Sequence, residues 1–285
     1  MKQGMSLVQP ETPRSAAPSF AESSTPTRVS STEQGATEFA LVVPDGYRQG
    51  RGAFGGLVMA ALTRAVDQVE ASAERRLRSV SGAITAPVTA GESLICVSPV
   101  RIGSGVSTWQ AVLQQGGEVR ALATLVYGKR RVEDAGWSPP PPDLTRDWAA
   151  VEVLALGAPM GPEFAQHFEF RNTGPAPFSG GTDAIASGWI RNRPALKQLA
   201  AADVLALVDA WWPASFVREQ APRPMATLAY TAQLLLDPAL LDGEPLYYQA
   251  RALAQAGGYA AEFRELWTAR GELVALNQQT FVIIR

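Results

Sequence analysis

The chain has 285 residues, 46% of them hydrophobic and 18% charged, and 25 basic against 27 acidic residues leave a formal charge of −2. That length fits one large domain or two of ordinary size, and without a basic run longer than Lys129-Arg130-Arg131 nucleic acid is not an expected partner. No apolar run approaches the ~18 residues of a membrane span, and the N-terminus lacks the apolar core of a secretory signal, so no membrane partner and a cytoplasmic location are expected.

Residues 1–34 are rich in Ser, Thr, Pro, Gln and Glu and poor in large apolar side chains, the composition of a flexible arm. Glu38–Val43 reads as a strand stopped by Pro44-Asp45-Gly46. A glycine-rich turn follows, Gly50-Arg51-Gly52-Ala53-Phe54-Gly55-Gly56, and runs into a helix over Leu57–Val69 that is apolar on more than one face. A helix of that kind is buried on most sides. Four strand-like runs come next, Ser79–Val88, Ser93–Ile102, Ser107–Gln115 and Val119–Tyr127, broken by Gly-containing turns and so read as an antiparallel meander. Cys96 has no intramolecular disulfide partner, and between Leu94-Ile95 and Val97 it reads as a small core hydrophobe.

Residues 134–163 change character: four consecutive prolines, Pro139 to Pro142, describe an extended linker between units. Beyond it the grammar of the first half returns. Phe164–Arg171 and Gly188–Arg193 are strand-like, Ala195–Phe216 reads as a helix, and four strands are expected at Met225–Leu236, Leu246–Ala254, Ala260–Ala269 and Leu273–Ile284. Local sequence echoes too. Ser79–Val88 superposes on Met225–Leu234 through its Thr-Ala pair, and Gly117-Glu118-Val119 matches Gly271-Glu272-Leu273. An internal repeat of this period implies two similar units packed as a pseudo-dimer, residues 35–133 and 164–285.

A strand, a buried helix and a curved antiparallel meander make an α+β hotdog unit. Two of them in one chain resemble the double-hotdog proteins of the acyl-CoA thioesterase II type, within the wider thioesterase-like superfamily. The resemblance is carried by Ala53-Phe54-Gly55-Gly56, Ser79–Val88, Val208-Asp209-Ala210 with Pro213, Ala226-Thr227-Leu228, and Val274-Ala275 followed by Gln279. It implies hydrolysis of an acyl-CoA, in lipid metabolism, by a water that an Asp, a Thr and a Gln orient, without cofactor or metal. By position these are Asp209, Thr227 and Gln279. The types suit the chemistry, since a carboxylate can take a proton from water while hydroxyl and amide groups fix its direction. Phe54, Gly55 and Gly56, at the helix start, are the expected substrate contacts, where free N–H groups can polarise a carbonyl or hold a phosphate. The family's polar pair after the Thr is replaced here by Ala229-Tyr230.

Asp203 competes with Asp209 one and a half turns away, Gln278 competes with Gln279, and Gly55-Gly56 can equally serve close helix packing. Gly50, Gly52 and Gly55 satisfy the dinucleotide pattern G-x-G-x-x-G, but the preceding strand ends near Val43, too early for the tight turn that pattern needs. The lone His167 and the absence of G-x-S-x-G disfavour a serine hydrolase, and no Cys/His cluster indicates a metal. The rival to an enzyme is a non-catalytic hotdog holding an acyl or aromatic ligand against Trp211-Trp212, Phe216 and Tyr230, or an assembly module. Self-association into a homo-oligomer is expected because each curved sheet leaves an edge to cover.

Overall fold

The computed structural model describes residues 18–31, 35–132, 136–157 and 161–284. A short helix α1 (Phe20–Ser24) leads to β1 (Thr27–Ser31) and β2 (Thr37–Val43). The glycine-rich turn is a miniature hairpin, β3 (Arg48–Gln49) and β4 (Gly52–Ala53), in which Gly50 takes a left-handed φ of 64°. Helix α2 (Gly55–Asp67) follows, then β5 (Arg76–Ile84), β6 (Gly91–Ile102), β7 (Val106–Gln115) and β8 (Glu118–Gly128). The second half contains β9 (Phe168–Asn172), β10 (Ile185–Asn192), α3 (Ala201–Asp209), β11 (Met225–Leu234), β12 (Leu246–Ala256), β13 (Tyr259–Trp267) and β14 (Leu273–Ile283).

All but β3 and β4 join one twelve-stranded sheet in the order β1-β2-β6-β7-β8-β5-β11-β14-β13-β12-β10-β9. Every pairing in it is antiparallel. The order reads the same way from either end, with β5 and β11 joining the halves at the centre. Helix α2 packs on β6, β7 and β8, helix α3 on β10, β13 and β14, and the two helices pack on each other. This is a double hotdog. Period-two alternation puts Val80, Ile95, Val97, Leu113 and Leu125 inward against α2, of which Leu57–Leu62 are almost wholly buried.

A bulge fixes the equivalence of the halves. The register of β5 on β8 slips at Arg78, between Leu77 and Ser79, and that of β11 on β14 slips at Leu228, between Thr227 and Ala229. Superposing the bulges makes Leu77 the counterpart of Thr227, and Ser81 the counterpart of Thr231. Ser81 and Thr231 face each other across the central β5–β11 pair, so the pseudo-twofold axis runs between them. The expected superposition of Thr85-Ala86 on Thr231-Ala232 is therefore corrected by four residues. The match of Gly117-Glu118-Val119 to Gly271-Glu272-Leu273 agrees with the register, which pairs Leu125 with Gln279.

Four further expectations are corrected. The helix expected over Ala195–Phe216 is only Ala201–Asp209, because the Asp203 carboxylate accepts the Ala200 N–H at 2.8 Å and starts the helix there, while Pro213 forbids its continuation. Residues 20–31, expected within a flexible arm, form α1 and β1. Phe20 is buried against Tyr47, Phe54 and Phe168. Cys96 lies half-buried on the outer face of β6, since its neighbours Ile95 and Val97 take the inward positions. The proline-rich segment is more than a linker. Trp148 covers the guanidinium groups of Arg171 and Arg191 at 4.0 and 4.7 Å, and Leu144 and Trp148 pack on an outer cluster of Val151, Trp189, Tyr247, Trp267 and Leu273. The Arg146 carbonyl accepts the Trp189 indole N–H at 2.8 Å, which satisfies the one polar atom of that side chain.

Candidate active site

The two carboxylates of α3 have different surroundings. Asp203 lies in the first turn, where Oδ2 caps the helix start and Oδ1 accepts Arg64 Nη2 at 2.7 Å from α2. Both oxygens are engaged in structure. Asp209 ends the helix on the side facing β13 and β14, 7% exposed. Its Oδ1 accepts Gln279 Nε2 at 2.6 Å and Arg264 Nη1 at 3.3 Å. Its Oδ2 lies beside Gly55, where a Cβ would stand only 2.9 Å from it and 3.3 Å from Ile84 Cδ1. One oxygen is clamped by two donors of the second half, and the other looks into the seam at the start of α2.

Gln279 is the inward member of the Gln278-Gln279 pair, 1% exposed, and Gln278 faces out. Its amide orientation follows from its neighbours, because a carboxylate only accepts. Nε2 donates to Asp209 Oδ1 and, at 2.9 Å, to Asn277 Oδ1, while Oε1 accepts the Thr227 hydroxyl at 3.3 Å. Asn277 in turn donates to the Thr231 carbonyl at 2.9 Å. Thr227 owes its direction to the bulge. Tyr230, Ala232 and Leu234 point inward from β11, so strict alternation would send Thr227 outward, and the extra residue Leu228 brings it back to the Gln279 side. Asp209, Thr227 and Gln279 thus form one hydrogen-bonded chain.

The expected substrate contacts divide. Phe54 is fully buried, stacked on Phe164 at 4.3 Å with Phe20 and Phe168 around it. Gly56 allows close packing, since a Cβ there would meet the Phe54 ring at 2.4 Å and Ala206 Cα at 2.9 Å. Gly55 opens α2 directly beside Asp209. A helix start leaves its first N–H groups without intrahelical partners and favours negative charge nearby. Trp211 and Tyr230 are core residues, with Trp211 stacked on Tyr248 at 5.2 Å, whereas Phe216 packs on Phe178 at 4.9 Å. His167 stacks on Tyr47 at 3.8 Å with Nε2 against the Gly46 carbonyl, and burial holds its imidazole below the ordinary value. Among the described residues no group of three or more His, Cys, Asp or Glu could hold a metal ion, and no helix is long and apolar enough to cross a membrane.

Sequence reasoning missed two residues on β13. Glu262 and Arg264 are each 1% exposed and joined by Arg264 Nε to Glu262 Oε1 at 2.8 Å. Glu262 Oε2 accepts the Ala214 N–H at 2.7 Å. Burial pushes the Glu262 carboxyl up, only partly offset by Arg264 and that N–H. Burial also opposes the Arg264 charge, but Tyr248, Glu262 and Asp209 outweigh it and raise the guanidinium above its ordinary value. A signal existed: Glu262 and Arg264 share the parity of Ala260 and Leu266. In an isolated strand, however, charges at alternate positions normally mark the solvent face.

Family models match both halves. The one described as acyl-CoA thioesterase C-terminal domain matches residues 123–283, and the one described as acyl-CoA thioesterase N-terminal domain matches residues 43–128. Among solved structures, a conserved hot dog fold protein of unknown function from Alicyclobacillus acidocaldarius is 25% identical with a TM-score of 0.82, over 93% of this chain and 98% of that one. The tesB protein of Mycobacterium avium subs paratuberculosis is 17% identical with a TM-score of 0.72, over 93% and 98%. An acyl-CoA thioesterase II, TesB2, from Mycobacterium marinum is 16% identical with a TM-score of 0.68, over 90% and 95%. Among curated proteins, none matches this sequence.

Proposed function

We propose that this chain, which belongs to the acyl-CoA thioesterase family, hydrolyses an acyl-CoA to a free acid and CoA by direct attack of water, with Asp209 as general base and Gln279 and Thr227 as its aim. The observation that carries the reading is the division of labour on Asp209. Gln279 and Arg264 hold Oδ1, and Oδ2 faces the first residue of α2 across the seam between the halves.

Both N–H groups of Gln279 are occupied, so Oε1 is left to accept from a water as well as from Thr227. A water donating one O–H to Gln279 Oε1 and the other to Asp209 Oδ2 presents its lone pair to the thioester carbonyl. The new C–O bond forms as Asp209 takes the proton. The carbonyl oxygen, now negative, is stabilised by N–H groups at the start of α2, around Gly55 and Gly56. When the C–S bond breaks, CoA leaves as the thiolate and takes the proton that Asp209 had accepted, which restores the carboxylate. A thioester is activated enough that no covalent intermediate is needed. In this reading residues 35–133, with α1 and β1 added to them, and residues 164–285 are the two catalytic-scaffold units, 134–163 joins them, and the enzyme works as a homo-oligomer. Light scattering that shows a monomer at every concentration removes the last point.

The test is turnover of a panel of acyl-CoAs followed with a thiol-reactive dye. General-base catalysis is worth about 10²–10⁴-fold, so Asp209→Asn is expected to lose that much kcat while Asp203→Asn loses stability but keeps turnover per folded molecule. Retained activity in Asp209→Asn overturns the assignment. Saturable acyl-CoA binding without turnover of any chain length overturns the enzyme.

A further inference from the structure

Arg264 touches Asp209 in more than one place. Its Nη1 donates to the Asp209 carboxylate at 3.3 Å, to the Asp209 carbonyl at 3.0 Å and to the Val208 carbonyl at 3.2 Å. One guanidinium therefore fixes the side chain and the backbone of the residue that ends α3. It also satisfies terminal carbonyls of the helix, where a cation is favoured. The opposite edge of the guanidinium is anchored by Glu262, which is anchored by the Ala214 N–H of the loop that follows the helix. Both carboxylates thus reach the same guanidinium.

The fold does not require it. In the first half, the register of β7 on β8 pairs Trp109 with Leu125 and Ala111 with Ala123, just as β13 on β14 pairs Glu262 with Gln279 and Arg264 with Asn277. Trp109 and Ala111 are thus the counterparts of Glu262 and Arg264, and the same architecture stands on them. A buried ion pair is commonly no better for stability than an apolar replacement. The first half also ends its helix on a carboxylate, Asp67, but that group accepts the Tyr127 hydroxyl, whereas Asp209 is held by a guanidinium.

Resting on the reading of Asp209 as the general base, we infer that Arg264, braced by Glu262, is a positioning residue that sets the direction and charge environment of the Asp209 carboxylate without touching substrate. Removing the guanidinium leaves Asp209 and Glu262 as two buried carboxylates without a countercharge, and like charges disfavour each other's ionised form. Among the described residues, the other titratable groups facing them are Tyr230 from β11 and Tyr248 from β12. Burial holds both hydroxyls well above their ordinary value, with Asp209 adding to it at Tyr230 and Arg264 partly opposing it at Tyr248. Neither supplies a positive charge.

The experiment is steady-state hydrolysis of an acyl-CoA by the full chain across pH, for Arg264→Met, Arg264→Lys, Glu262→Gln and Asp209→Asn, with a thermal melt of each. Arg264→Met is expected to lower kcat about 10²-fold, the cost of a misplaced catalytic group. KM should stay within about threefold and the acid limb of the kcat/KM profile should move to higher pH. Arg264→Lys should recover part of kcat and most of the acid limb. If Arg264→Met does not fold, Glu262→Gln, which leaves the cation but unties it, must still lower kcat at unchanged KM. Wild-type kcat and an unmoved acid limb in Arg264→Met, or in Glu262→Gln where that serves instead, overturn the inference while Asp209→Asn is inactive. An active Asp209→Asn overturns the underlying reading instead.

Discussion

The two halves of this protein share a sheet order, a helix and even a β-bulge, yet one layer of the interior differs between them almost completely. Where the first half has Leu77, Trp109, Ala111, Ala123 and Leu125, the second has Thr227, Glu262, Arg264, Asn277 and Gln279. Each helix ends on an aspartate, but Asp67 accepts the Tyr127 hydroxyl at 2.7 Å and burial raises its carboxyl. Asp209 instead meets an amide and a guanidinium. The first half states what the fold needs, which is apolar volume. The second carries polar groups that folding alone does not ask for. Burying them is costly unless each is hydrogen-bonded, and the chain from Ala214 through Glu262, Arg264, Asp209, Gln279 and Asn277 to Thr231 is bonded throughout.

The first half has a polar cluster of its own with a different design. Glu70, just beyond α2, takes hydrogen bonds from Ser107, the Ser72 N–H, Arg75 and Trp109. Burial opposes its charge, but these donors outweigh it and hold the carboxyl at about 2. That cluster pins a loop to a strand and has no seam to face.

The contrast can be broken most sharply at the two helix-ending aspartates. Asp209→Asn is expected to remove about 10²–10⁴-fold of kcat, and Asp67→Asn to leave kcat within a few-fold. Acyl-CoA turnover of the two variants decides it, and equal losses would erase the asymmetry. Next in size is Gln279→Leu, which gives the second half the residue of the first. A fall of about 10² in kcat is expected from the loss of aim, with a lowered melting temperature because the buried Asp209 and Asn277 oxygens lose the amide that donates to them. The reciprocal change, Leu125→Gln, places an amide where the first half offers no partners. It should cost about 2–3 kcal/mol in urea unfolding, with no change in kcat for the folded fraction.

The smallest effect concerns pH. Because the folded Glu70 carboxyl sits at about 2, below its ordinary 4.5, its contribution is complete above pH 4.5 and is lost as pH falls through 2. Glu70→Gln should therefore cost about 2 kcal/mol at pH 7, and the gap from the parent should narrow when urea unfolding is repeated near pH 3.

Much of this was open to inspection in the residues. Glycine-bounded, alternating runs such as Ser107–Gln115 and Leu273–Ile284 lie within a residue of the observed strands, because alternation and turn chemistry are local. The duplication was visible in Gly117-Glu118-Val119 and Gly271-Glu272-Leu273. The order of Asp209, Thr227 and Gln279 along the chain carried the resemblance that named them together. The length of α3 was not visible, since Leu196 and Leu199 continue its apolar pattern and nothing local announces that Asp203 will cap Ala200 and start the helix there.

What the sequence by itself determined is the strands of the large sheet other than β1, the repeat and the candidate triad. Only the tertiary structure decided which side of each strand faces inward where the pattern is mixed. Glu262 and Arg264 point in, where they meet the end of α3, and Phe263 points out into a cleft that it lines together with Pro139, Pro140 and Pro142 of the proline-rich segment. Thr227 turns inward only because Leu228 bulges against β14. Both outcomes depend on segments distant in the chain, and a one-residue shift in a strand reverses every side chain along it.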